Sequence, residues 1–151
     1  MAWTFSESIT QNGRHFTYVG RAVTDGTPAE GTLIDDSADL THMTTNSTIV
    51  PLNGRLFSKF KILTMEVTSH ASLLGTGTPV TMSWDAGAGT DIEFFVLPKT
   101  GSFVGDFRKL PTYGIVNTAG TGVTGDVILA VGATITASDA WNIIIEGYLV
   151  P

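Results

Sequence analysis

Gly120, Gly122 and Gly125 stand at the spacing G-x-G-x-x-G within NTAGTGVTGDVILAVG, residues 117 to 132. That spacing lets a backbone approach a pyrophosphate, provided a strand precedes it and a helix opens on it to meet the phosphates. Here the glycines lead into DVILAVGATIT, a β-branched run that reads as a strand. SWDAGAGTDIEFFV places glycines between two strand-like segments in the same way. The glycines therefore read as turn residues supplying positive φ, and no cofactor is expected.

Metal chemistry fares no better. His15, His42 and His70 are far apart and form no H-x-x-x-H pair, and DDSAD and DAGAGTD lack the order of a calcium loop. A surface calcium on Asp35, Asp36 and Asp39 competes with a solvated acidic turn, which is the simpler reading. There is no cysteine and no G-x-S-x-G elbow. Glu66, Glu93 and Glu146 sit on strand-like segments, where two carboxylates can meet as in a glycosidase or simply form the polar face of a sheet. The expectation is a protein that is not an enzyme, with no catalytic, cofactor-binding or metal-binding residues. NST at Asn46 to Thr48 matches a glycosylation acceptor by chance.

Aromatic residues carry the remaining signal. Trp3 and Phe5 lie in an N-terminal arm, residues 1–10; Phe103, Phe107 and Tyr113, with Arg108, lie in a long loop, residues 98–114. Aromatics on an arm and a loop can anchor in a partner's pockets. Alternatively both segments fold back and close the chain's own core.

The elements that must position these residues are strands. PVTMSWD sets Val80, Met82 and Trp84 against Thr81, Ser83 and Asp85; KILTMEVTS sets Leu63, Met65 and Val67 against Ile62, Thr64 and Glu66. DIEFFVL sets Ile92, Phe94 and Val96 against Glu93, Phe95 and Leu97. AWNIIIEGYLV carries Trp141, Ile143, Ile145 and Leu149 on one face, yet Ile144, Tyr148 and Val150 on the other are apolar too. That strand should be central or covered by a partner. Period-two alternation with Gly, Pro, Asp and Ser punctuation predicts an all-β chain. Its form is a single-domain antiparallel β-sandwich over residues 1–151, jelly-roll-like or immunoglobulin-like, with an extended N-terminal arm. Leu63, Met65, Val80, Met82, Trp84, Phe94, Leu129, Trp141, Ile143 and Ile145 form the expected core. Helix is expected only as a turn or two between residues 35 and 46.

Composition narrows the partners. Charged residues make up 15% of the 151-residue chain, against about 25% in an average domain, so Thr, Ser, Gly and Asn carry the surface. The net charge is −6, and the eight basic residues are scattered, with only Arg108 and Lys109 adjacent, which argues against nucleic acid. No apolar run approaches the roughly 18 residues of a membrane span, and MAWTFSESIT has no secretory pattern.

MAWTFSES at the start, a Gly/Thr-rich middle and ASDAWNIIIEGYLV at the end resemble small bacteriophage virion proteins. Capsid decoration (cement) proteins are the most similar, with small tail or head-tail proteins second. The resemblance implies a β-rich subunit, made in the host cytoplasm and placed on the virion. It would bind the major capsid protein and sister subunits, most often as a trimer, and clamp neighbouring capsomers. No residue-level site carries over from that family. The competing reading from composition is a carbohydrate-binding β-sandwich module.

Overall fold

In the computed structural model, residues 3–27, 29–70, 80–86, 90–117, 125–131 and 139–151 are described. They contain the strands β1 (Trp3–Asn12), β2 (His15–Thr24), β3 (Glu30–Ile34), β4 (Lys59–Ser69) and β5 (Thr81–Trp84). These are followed by β6 (Ile92–Val96), β7 (Ser102–Asp106), β8 (Ile115–Val116), β9 (Val127–Ala130) and β10 (Ala140–Val150). Sheet A has the order β1-β2-β10-β4-β7, with β8 also on β4; sheet B has the order β3-β9-β5-β6. Every strand pairing is antiparallel.

Leave aside β1 and the short β8 and number the other eight strands in sequence. The sheets then read 1-8-3-6 and 2-7-4-5. The chain passes back and forth between sheets in two nested Greek keys, which is the jelly roll rather than the immunoglobulin arrangement.

β10 explains why sheet A holds together. Trp141, Ile143, Ile145 and Leu149 are buried, while Asn142, Ile144 and Glu146 face out. β2 and β4 flank it along most of its length. Gly147 takes an inward position because the Phe16 ring lies where a Cβ would stand. Phe16 then meets Phe60 edge-on at 5.4 Å, and Phe60 meets Trp84 at 5.2 Å, joining the two sheets through aromatic rings.

Two bulges break the expected alternation. In β4, Glu146 pairs with Thr64 and Gly147 with Ile62, so Leu63 is an extra residue. Phe60 and Ile62 therefore enter the core with Met65 and Val67, and Leu63 is buried beside Gly114 instead. In β6, Met82 pairs with Phe95 and Ser83 with Glu93, which makes Phe94 the extra residue. Ile92 and Val96, expected to face inward, are exposed, and Leu97, expected opposite them, is buried. Phe94 is half-buried against Trp84 at 5.2 Å. The other nine expected core residues are buried.

The remaining segments differ from expectation in kind. Residues 35–46 form hydrogen-bonded turns and no helix. Asp39 N–H donates to Asp35 O at 2.8 Å, but Asp35 Oδ1 takes the Ser37 N–H, which holds a turn in place of a helix start. The stretch 98–114, read as a loop, contains β7 and a 3₁₀ turn, Phe107–Lys109, capped by the Asp106 side chain. The arm is a strand: β1 pairs with β2 from Trp3 to Asn12 through a two-residue turn. Gly13 takes φ +61° as the first residue of that turn, where glycine is the natural choice.

Candidate functional site

The register of sheet A fixes which side chains share its outer face. Ser8, Val19, Ile144, Glu66 and Val104 lie directly across from one another on β1, β2, β10, β4 and β7. Val19 is 48%, Ile144 37% and Val104 72% exposed. The next row on one side is Ser6, Arg21, Asn142, Thr68 and Ser102, and on the other Thr10, Thr17, Glu146, Thr64 and Asp106. The middle row thus carries three exposed apolar side chains, with Ser8 at its β1 end and Glu66 between Ile144 and Val104, and it runs between two polar rows. A shallow depression over it is lined by Ser6, Ser8, Val19, Arg21, Asn142 and Ile144. The apolar second face of β10 is the sequence signal for this row; Val19 and Val104 carry no such signal.

The six residues singled out from the sequence divide. Trp3 is 3% exposed. It stacks on Phe5 at 6.1 Å, tilts against Trp141 at 6.1 Å and donates its indole N–H to Ala29 O. Phe5 is half-buried against the core. These two follow the fold-back alternative and serve the chain's own interior. Phe103, half-buried, meets Phe95 at 4.8 Å and Phe107 at 6.4 Å; Phe107 packs on the core edge. Arg108 and Tyr113 are exposed, and so are Val104 and Leu110. Arg108 makes a two-pronged pair with Asp106, at 2.9 Å through both Nε and Nη2. Its guanidinium holds the Asp106 carboxyl at about 2, below the usual range. The 98–114 stretch therefore keeps an outward surface, built from different residues than its phenylalanines.

The acidic turn also regroups. Asp39 Oδ2 accepts from Asp35 N–H at 2.8 Å, while Asp126, ninety positions away from Asp36, joins Asp35 and Asp36. Asp126 Oδ1 accepts the Asp36 N–H at 3.0 Å, which brings the two carboxyls close together. Burial first, then the neighbouring Asp126 charge, pushes Asp36 up to about 7. Asp126 is also raised, by burial first. The bond from the Asp36 N–H ties the turn after β3 to the entry of β9.

Gly125, at φ +85°, lies against Asp36 and leads into strand β9. The last glycine of the G-x-G-x-x-G spacing is thus a positive-φ residue just before a strand; Gly120 and Gly122 fall outside the described residues. Glu66 and Glu146 are diagonal neighbours on the open outer face of sheet A, and Glu93 is on sheet B. Asn46 spends its amide on the chain itself, donating to Leu40 O and accepting from Thr48 N–H. The three histidines stay apart: His15 packs on Tyr148, His42 bonds Val50 O, and His70 bonds Asn142.

Elsewhere on β1, Tyr18 donates to Glu7 Oε2 at 2.7 Å. Burial raises Glu7 above the usual carboxylate range despite that bond, and burial likewise raises the Tyr18 hydroxyl. This bond pins the edge strand to the core.

Compared with known protein families and with curated proteins, the chain matches none.

Proposed function

We propose that the protein is a structural virion subunit, a capsid decoration (cement) protein that seats the outer face of sheet A on neighbouring shell subunits. The observation that carries this reading is the row holding Val19, Ile144 and Val104, three exposed apolar side chains in one register across a sheet, with Glu66 between Ile144 and Val104. Its borders are hydroxyl, amide and charged residues, as in an association surface with an apolar centre and a polar rim. Leu110 and Tyr113, which follow β7 in the chain, are exposed as well. Jelly rolls serve both as virion shell domains and as lectins, so architecture alone does not choose between them. All three tryptophans are buried, which leaves none of them as a stacking platform for a sugar ring. The sequence resemblance to small phage virion proteins adds to the same side.

In this role sister subunits and the major capsid protein are the partners, and a trimer is the expected assembly. Co-sedimentation of the purified protein with particles lacking it tests the proposal. Saturable binding is expected, at a stoichiometry set by the shell lattice. Absence of binding to shells would overturn it, and binding confined to tails would favour a tail protein.

A further inference from the structure

The eight basic residues are scattered along the chain, but six of them gather at one end of sheet A. Arg14 is in the β1–β2 turn, Arg55 in the segment before β4, and Lys59 and Lys61 on β4, paired with Val150 and Tyr148. Arg108 and Lys109 are in the 3₁₀ turn that packs on β4, and Lys61 Nζ donates to Thr112 O beside it. On a chain of net charge −6 this concentration is specific. Asp106 and Glu146 are the carboxylates near Arg108, and Asp106 is already paired. Arg14, Arg55, Lys59, Lys61 and Lys109 have no carboxylate partner among the described residues.

Within this region Arg14 is held unusually well. Its guanidinium lies 4.1 Å from the Tyr148 ring centroid and 4.8 Å from that of Phe57. Nε donates to Leu149 O at 3.0 Å. Two aromatic faces and one backbone acceptor thus fix the plane of the fork, while its terminal nitrogens remain available. Arg55 is exposed and lines the same pocket with Leu52, Asn53 and Phe57. An oriented guanidinium beside a second, exposed one is suited to a bidentate oxyanion.

We propose that the Arg14–Arg55 pocket binds a carboxylate on an acidic segment of a partner protein, with Lys59 and Lys61 receiving neighbouring acidic residues. A nucleic acid fits less well. A long polyanion would run past this small region onto a surface of net negative charge, whereas a short acidic segment ends within it. The site stands on the pocket geometry and does not depend on the shell assignment.

The test uses the full chain and a capped hepta-glutamate peptide, followed by amide chemical shifts. Shifts are expected around Arg14, Arg55 and Tyr148, with affinity falling steeply as salt rises. Arg55→Gln should weaken binding about tenfold without altering the melting temperature. Arg14→Lys keeps the charge but loses the fork, and should weaken binding as well. Absence of shifts at low salt would overturn the proposal, and so would unchanged binding by Arg55→Gln. Equal affinity for inorganic phosphate, or tighter binding of a single-stranded oligonucleotide of the same charge, would overturn the acidic-segment assignment. Protein that fails here but still coats particles loses this site and keeps the decoration role.

Discussion

Val104 offers a clean way to separate association from folding. It is 72% exposed, directly opposite Glu66 on β4. Val104→Ala removes the equivalent of two methylenes, about 1.6 kcal/mol when fully buried. Most of that surface is still in water in the free subunit, so the fold should change by less than about 0.5 kcal/mol. Covering the site on a partner would bring the remainder, about 1.1 kcal/mol, or roughly sixfold in Kd. Val104→Glu is the stronger variant. Facing Glu66, it should cost the free subunit less than about 1 kcal/mol. Covered by a partner, a second carboxylate beside Glu66 would cost about 3–5 kcal/mol, more than a hundredfold in affinity. The assay is quantitative co-sedimentation with undecorated particles, alongside thermal melts of each free variant. Wild-type binding by both variants would refute the assignment of this face. A loss of melting stability as large as the loss of binding would show that Val104 supports the fold instead.

Other outcomes test the fold and its electrostatics. Trp84→Ala should cost roughly 3–5 kcal/mol in denaturant unfolding, because the ring is buried between Phe60 and Phe94. Trp84→Phe should cost much less than that, since the indole N–H has no hydrogen-bond partner among the described residues and its removal relieves a buried polar group. Gly147→Ala should destabilise by about 1–3 kcal/mol through overlap with Phe16; a neutral result would mean that the ring moves aside freely. Asp36 is held at about 7 in the fold against an ordinary 3.8. The folded chain therefore keeps a proton that the unfolded chain has lost between about pH 4 and pH 7. Its stabilising effect is complete below that window and is lost as pH rises through it, by at most about 1.4 kcal/mol per pH unit for one proton. Asp36→Asn should flatten this decline in unfolding curves taken across the window, and an unchanged slope would refute the raised Asp36.

Alternation made much of the sandwich legible. β5 and β10 face as their sequences say, and nine of the ten expected core residues are buried. The failures have local causes. A bulge adds one residue to a strand and reverses every facing beyond it, and no residue type at Leu63 or Phe94 announces one. β7 hides in a stretch punctuated by Gly101, Gly105 and Pro111 because β4 supplies its hydrogen bonds. NGR at residues 12–14 was a readable hairpin signal that would have converted the arm into β1. The candidate surface was half legible. Ile144 stood out as apolar on the second face of its strand, but Val19 beside it and Val104 beyond Glu66 come from distant segments and fall in one row only through register. The same holds for the acidic pair, since Asp126 joins Asp36 across ninety residues, and for the basic end, whose members come from separate segments of the chain.

Copy number tests the central claim most directly. Quantitative mass spectrometry of purified particles reports how many copies of this chain accompany each copy of the major shell protein. A decoration subunit seated on the lattice predicts a fixed, high ratio that falls to background when Val104→Glu replaces the native residue. A few copies per particle, or a ratio indifferent to Val104→Glu, would contradict the account.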